Sequence, residues 1–411
     1  MTSWFQVAEG SPFPVTNLPY GVFSVEGEAP RVGAALGDQV LDLAPLAAAE
    51  GLDGGHVFEA PTLNPFLALG RPAWRAVRAW LVELLDSEAY REVVESHLVP
   101  QSEVTLHLPF QVGDYVDFYS SEHHAHNVGR IFRPDTDPLP PNWKHLPIGY
   151  HGRSGTIVVS GTDVVRPSGQ RKAPDAAAPT YGPSMRLDVE AEVGFVVGVP
   201  SALGRPIAVE DFADHVFGVC LVNDWSARDL QAWEYVPLGP FLGKSFATSV
   251  SPWVVPLEAL EAARLDAPAQ VDPQVLPYLR RAEPWGLDLS LEVTWNGTVV
   301  SRPPFGLMYW TPDQQLAHLT VNGASVRTGD FYASGTVSGP EKDQRGSFLE
   351  LSWGGEEPVR LADGSTRTFL EDGDEVTITA WAPGLDGTRI GFGGVTGRIS
   401  PAHPAGFDHA Q

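Results

Sequence analysis

The segment LDVEAEVGF, from Leu187 to Phe195, carries Glu190 and Glu192 two positions apart, with Val189, Ala191, Val193 and Phe195 in the alternate places. A period of two is the pattern of a strand, on which successive side chains point to opposite faces. The two acids then face one way and the apolar set faces a core. Like charges this close repel, and on a part-buried face they either shift their pKa values or need a cation. Two further acids sit beside apolar, strand-like runs: Asp117 in DFYSSEHH and Asp224 in VNDWSARD. Four carboxylates point to a hard divalent ion, Ca or Mg, which prefers oxygen ligands. The competing reading is a solvated face, the commoner use of paired acids on an amphipathic strand.

Neighbouring residues bear on that choice. Asp224 is followed by Trp225, Arg228, Asp229 and Gln231, then by Trp233, Glu234 and Tyr235. The next stretch, VPLGPFLGKSFATSVSPWVVP, is apolar and Gly/Pro-rich with Lys244 as its only charge. A lone lysine there either snorkels its head to water or faces the acids. His123, His124 and His126 follow Ser120 and Ser121, good helix N-caps, which places the rings in a first helical turn. H-H-x-H spacing is compatible with zinc, yet no cysteine lies near and the acids favour an oxygen-binding ion. His97, His107, His215, His403 and His409 lie in surface-like contexts and carry no assigned role.

The elements that must position these residues divide the chain. Residues 1–60 hold short strand-like runs, YGVFSVEG and RVGAALGDQVLDL, which suggest a small β-barrel-like unit. Trp74, Val77, Trp80, Leu81, Leu84 and Leu85 then recur at helical spacing, followed by SEAYREVVESHLV. Beyond about Leu106 the texture changes to Gly/Pro-punctuated strands, including GTIVVSGTDVV, LEVTWNGTVV with an Asn-Gly turn, and DGDEVTITAW. The expected division is residues 1–105 and 106–411, mainly β with some α, with 173–183 a loop.

Composition narrows the partners. With 411 residues, 43% hydrophobic and 19% charged, the chain can bury two sizeable cores. Its net charge of -24, 27 basic against 51 acidic residues, argues against a nucleic acid or an anionic membrane. An anionic substrate is compatible only where bound metal, Arg133, Arg228 and Lys244 outweigh distant acids, which a screening length of roughly 10 Å allows. The single cysteine, Cys220 in the apolar run FGVCLV, reads as a buried inert thiol and rules out an internal disulfide, in keeping with the cytoplasm. No apolar run approaches the length of a membrane span, and MTSWFQVAEGSPF lacks the pattern of a signal peptide.

The blocks DFYSSEHHAHNVGRIFR, NWKHLPIGYHGR, LDVEAEVGF, NDWSARDLQAWEYVPLGPFLGKSF, ASGTVSGPEKDQRGSFLEL and RIGFGG, running in that order from about Asp117 to Phe392, together resemble the fumarylacetoacetate hydrolase (fumarylacetoacetase) family. The resemblance covers some two thirds of the chain, and NDWSARD, LGPFLGKSF and ELSW are individually specific. It implies a small SH3-like N-terminal barrel plus a larger mixed β-sandwich roll, and a homodimer with the site near the subunit contact. It also implies metal-dependent hydrolysis of a carbon–carbon bond of 4-fumarylacetoacetate to fumarate and acetoacetate, the last step of tyrosine and phenylalanine catabolism.

Residue by residue, the resemblance makes Asp117, Glu190, Glu192 and Asp224 the metal ligands, and sets Lys244 and Thr248 at a second, structural cation. Ala247 stands where the family pattern has glycine. The resemblance makes His124 the general base and Glu350 its orienting acid, although Glu350 in SFLEL reads by itself as an exposed strand acid. Arg228, Gln231 and Lys244 donate to the developing oxyanion, and Tyr119, Arg133, Tyr150, Gln231, Tyr235 and Thr336 anchor a dianionic diketo acid. The chemistry needs these types together: a base for water, donors for a tetrahedral oxyanion and a sink for the departing enolate. A related acylpyruvate hydrolase, decarboxylase or isomerase would use the same acids on another oxo-acid. A non-catalytic metal-binding protein would need neither His124 nor Glu350.

Overall fold

Residues 3–404 are described by the computed structural model, so His409 lies outside the described residues. Tyr20–Val25 (β1), Arg31–Leu36 (β2) and Gln39–Asp42 (β3) form an antiparallel meander. Helix Arg71–Asp86 (α1) follows, and the three- and four-residue spacing of Trp74, Val77, Leu81, Leu84 and Leu85 gives it one buried face. Leu98–Pro100 (β4) pairs with β3, and Val104–His107 (β5) pairs with β1. A closed barrel is expected here from the resemblance; none is formed among the described residues. The turn Gln101–Glu103 joins β4 to β5 without a ladder between them, and β1 bonds onward into a larger sheet.

That sheet continues through Tyr115–Phe118 (β6), Gly149–His151 (β7), Ala191–Val197 (β8), Val216–Asp224 (β9), Thr248–Val250 (β10), Trp253–Pro256 (β11) and Phe331–Ala333 (β12). Its order is β4-β3-β2-β1-β11-β9-β8-β12-β6-β7, with β10 beside β9. Three further helices carry site residues: Glu122–Phe132 (α2), Arg228–Glu234 (α3) and Phe348–Leu351 (α4). The chain is mainly β with some α, and among the described residues no helix is long and apolar enough to cross a membrane.

The apolar runs of β8 and β9 are near-continuous because both faces of these strands are covered. Val193, Phe195, Val219 and Leu221 join a core with a second sheet, which contains Ser290–Trp295, Glu375–Pro383 and Val395–Ser400. Val196, Cys220 and Val222 point the other way, into the core shared with α1 and the N-terminal meander. Burying each such large side chain contributes about 1.5–3 kcal/mol, which makes these strands a rigid base for costly polar groups at their ends. In the second sheet the Asn-Gly turn is formed as its sequence predicts, with Asn296 at φ 47° and Gly297 at φ 75°. The expected loop at 173–183 is only partly one, since Thr180–Pro183 pairs with Ser168–Arg171 as a two-stranded ribbon.

Candidate active site

Along β6, β8 and β9 the acids occupy alternate positions with Tyr115, Val196, and Cys220 and Val222, all members of the core beneath the N-terminal meander. Asp117, Glu192 and Asp224 thus continue that buried face at one end of the sheet. Glu190 precedes β8 and bridges to Ser347. The solvated-face reading fails here, because all four acids are buried, Glu192 completely. One oxygen from each lies within 4.8 Å of the others.

Neither oxygen of Glu192, nor Asp117 Oδ1, has a hydrogen-bond partner. Buried carboxylates without partners are costly, and a divalent cation with oxygen ligands would satisfy them, so the donor set fits such an ion. Burial, then the Asp117 charge, raises the Glu192 carboxyl well above the usual range. Burial, then Asp224, does the same to Asp117.

Lys244 is 5% exposed and donates to Glu190 and, at 2.8 Å, to Asp224 Oδ2, which excludes the snorkelling alternative. Burial would lower its pKa, but Asp224 and Glu190 hold it above the usual lysine value. Burial in turn would raise Glu190, yet Lys244 and Arg228 outweigh it and hold that carboxyl well below its usual range. Thr248 on β10 donates to Asp224 Oδ1 at 2.8 Å, and Tyr150 on β7 to Asp224 Oδ2 at 3.2 Å. Ala247 is not among the residues with positive φ, so its β-carbon brings no left-handed backbone strain to this turn. A cleft of about 250 Å³ reaches Asp224, Lys244 and Thr248 between Tyr150, Arg153 and Phe241.

Ser121 caps α2, its Oγ accepting from the His124 amide at 3.2 Å, as the Ser-Ser-x-His-His pattern predicts. His124 Nδ1 lies 2.7 Å from Glu350 Oε2. Glu350 is not an exposed strand acid: it sits in α4, wholly buried. The cause is a Ser-x-x-Glu start, in which Ser347 Oγ accepts from the Glu350 amide at 3.3 Å and donates to Oε2 at 2.8 Å. Asn127 Nδ2 donates to Oε1 at 2.8 Å and Ser338 Oγ to Oε2 at 2.9 Å. Burial raises Glu350, but His124, Asn127 and Ser347 together hold its carboxyl below the usual range. A carboxylate at Nδ1 fixes the proton there and leaves Nε2 with the lone pair a base requires.

Arg228, at the start of α3, donates from Nε to Asp188 Oδ2 at 2.7 Å and from Nη1 to Gln231 Oε1 at 3.1 Å. Its Nη2 is 2.8 Å from Glu190 Oε1, an ion pair without hydrogen-bond alignment. Because Gln231 accepts from Arg228 through its oxygen, its amide NH2 is left to donate outward. Tyr119 meets His124 edge to face at 5.4 Å. Arg133 caps the end of α2, bonds Pro138 O at 3.1 Å, and its charge reaches the Tyr119 hydroxyl. Gly335, at φ 77°, turns the chain so that Thr336 is buried with an unpartnered Oγ1. Tyr235 stands apart from this buried constellation, 43% exposed at the end of α3.

Several residues escape the sequence reading. Asp188 is fully buried beside Arg228, and its position two before Glu190, on the same strand parity as Glu192, was a visible signal. Asn127 falls three residues after His124, hence on the same face of α2. Ser347 opens the capping pattern that contains Glu350.

Two family models match the chain, one described as Fumarylacetoacetate (FAA) hydrolase C-terminal over residues 115–400 and one as Fumarylacetoacetase N-terminal over residues 16–109. The chain is 50% identical to the fumarylacetoacetase of Homo sapiens, covering 97% of this chain and 99% of that protein. It is 50% identical to that of Caenorhabditis elegans, over 98% and 100% of the two chains, and 48% identical to that of Arabidopsis thaliana, over 98% and 99%. Among solved structures, the fumarylacetoacetate hydrolase from psychrophilic Exiguobacterium antarcticum aligns with a TM-score of 0.56 over 94% of this chain and 100% of that one. At 16% identity that likeness concerns the fold alone.

Proposed function

The chain belongs to the fumarylacetoacetate hydrolase family, and from that premise we propose that it hydrolyses 4-fumarylacetoacetate to fumarate and acetoacetate, the closing step of tyrosine and phenylalanine breakdown. The observation that carries the reading is the His124–Glu350 pair in one buried site with four carboxylates. A metal store or a passive binder has no use for an oriented imidazole.

His124 takes a proton from water at Nε2, and the water oxygen bonds to the carbonyl carbon of the fumaryl group itself. Arg228, Gln231 and Lys244 donate to the oxyanion that forms. Collapse of that adduct breaks the carbon–carbon bond, fumarate leaves as the acid product, and the electron pair goes to acetoacetate as its enolate, which is then protonated. Asp117, Glu190, Glu192 and Asp224 would hold a divalent cation, calcium or magnesium, which would supply stabilisation for the negative charge that develops on the substrate. Arg133 with Tyr119 suits one substrate carboxylate, since a guanidinium bonds a carboxylate through two parallel donors. Thr336 offers an unpaired buried hydroxyl, and Tyr150 stands on Asp224. The same reading puts the backbone at Lys244 and Thr248 beside a second cation, since the Lys244 ammonium is committed to Glu190 and Asp224, and puts Tyr235 at the substrate.

The reading extends to a homodimer. The segment between Gln231 and Lys244 leaves Trp233, Val236, Leu238, Phe241 and Leu242 exposed, Leu238 by 95%. An apolar strip of that kind beside the site suits a contact with a second copy. The single cysteine, buried in β9, suits a reducing cytoplasm. Residues 1–105 are taken as the small N-terminal unit and 106–411 as the catalytic roll, supported by the change of texture near Leu106. The deciding assay follows loss of diketone absorbance when purified protein meets fumarylacetoacetate, with and without a chelator. Absence of turnover with metal present overturns the reading.

A further inference from the structure

Asp188 is wholly buried, and both its oxygens are occupied. Oδ1 accepts from the Phe348 amide at 2.7 Å and from its neighbour Val189 at 2.8 Å; Oδ2 accepts from Leu349 at 3.1 Å and from Arg228 Nε at 2.7 Å. Phe348 and Leu349 open α4, whose amides have no partner within the helix. The next residue of the same helix, Glu350, is presented to His124. One carboxylate therefore joins the start of the helix behind the base to the guanidinium that faces Glu190.

An ion pair in a core is seldom the most stable filling for that space, because taking two charges out of water cancels much of their attraction. Packing alone does not account for Asp188. Its geometry does, because only a carboxylate presents two acceptor oxygens and no donor to the four groups around it, two amides of the helix, that of Val189 and the Arg228 guanidinium.

We propose that Asp188 is a positioning residue that locks Arg228 and the Glu350–His124 pair into a single register, so that proton abstraction and oxyanion stabilisation meet at one carbon. This rests on the hydrolase reading above. Asp188 touches no reacting atom; it acts through Arg228 and α4.

The discriminating variant is Asp188→Asn, nearly equal in shape, whose amide has one acceptor oxygen and sets an NH2 donor against either the Phe348 and Val189 amides or the Leu349 amide and Arg228. With the metal-loaded protein, kcat should fall by about 10²-fold, the size associated with a misplacement near 1 Å, while KM and metal content stay nearly unchanged. The low-field proton resonance of His124 Nδ1–H, read without substrate, should shift. In an Arg228→Gln background the added effect of Asp188→Asn should shrink, since partners in one network are not additive. An unmoved resonance, or additive losses, overturns the proposal and leaves Asp188 a core acid only. Should Asp188→Asn fail to fold, Arg228→Lys decides: it keeps a charge beside Glu190, which itself acts on His124, but loses the Nε bond to Asp188, so a shifted resonance reports the link and an unshifted one refutes it. Wild-type protein inert on fumarylacetoacetate overturns the hydrolase reading instead, because the resonance needs no substrate.

Discussion

His124 Nδ1 lies 2.7 Å from Glu350 Oε2, with both side chains buried and the carboxylate tied by three further donors. Imidazole tautomer and ring orientation are thereby set before any substrate arrives. Replacing His124 with Gln keeps the volume and removes the proposed base. His124→Gln should retain fold and metal while turnover falls by about 10² to 10⁴, the usual range for losing a general base. Steady-state kinetics beside metal analysis check this; near-normal turnover would place the base elsewhere.

Glu192 has two buried oxygens and no protein partner for either. A residue so placed has a cation as its natural partner, and removing it takes away charge as well as geometry. Glu192→Ala should lose bound metal and activity together. Elemental analysis of the purified variant settles the point, and a metal-replete, active Glu192→Ala protein refutes the ligand assignment.

Stability against pH should reverse when the cation is removed. Asp117 and Glu192 have carboxyls raised above their unfolded values by burial and by neighbouring acids. For such groups the folded chain binds more protons than the unfolded one, so stability present below the unfolded pKa is lost as pH rises through the folded value. Glu350 and Glu190 are lowered and act oppositely, adding stability above the unfolded pKa that is lost as pH falls through their folded values. Chelator-treated protein should be most stable in mild acid, with Tm falling as pH rises above the ordinary carboxyl range of about 4. Metal-loaded protein should gain stability over that window, because cation and proton compete for the same oxygens. Calorimetry with and without chelator tests the crossing; a chelated Tm that climbs toward pH 8 contradicts the raised carboxyls.

Much of the site was legible because it is written in short local patterns. The parity of Glu190 and Glu192, the serine cap before His124 and a lone lysine in an apolar stretch each report their own element. Local pattern did not show which faces are covered. The acids read equally well as solvated until β8 and β9 are seen packed on both sides. Glu350 taken alone passed for an exposed strand acid, though Ser347 three residues earlier already announced a helix start. Asp188 was overlooked because its partners, the amides of Phe348 and Leu349, lie some 160 positions away and a backbone amide has no signature in sequence. The expected N-terminal barrel fails for a similar reason, since whether β1 bonds to β11 depends on a strand more than two hundred residues distant.

Substrate choice should rest on anchors away from the acids, because a carboxylate cluster of this kind can serve any chelating oxo-acid. A fumaryl carboxylate lies several atoms from the diketone oxygens, a span that suits the long side chain of Arg133 near Tyr119. A short acylpyruvate would leave that guanidinium without its partner. Sites built to bond a polar group commonly reject analogues lacking it by factors of about 10⁴ to 10⁵ when the group is buried. Arg133 is only half-buried and already holds Pro138 O, so the discrimination here should be smaller. The expectation is a higher kcat/KM for fumarylacetoacetate than for simple acylpyruvates, with fumarate and acetoacetate as sole products. Arg133→Ala should narrow that ratio chiefly through KM, since gripping a distant carboxylate is binding common to ground and transition states. Release of carbon dioxide, or equal efficiency on an acylpyruvate, would reassign the chain to a related oxo-acid reaction; a ratio unchanged by Arg133→Ala would move the carboxylate grip to another residue.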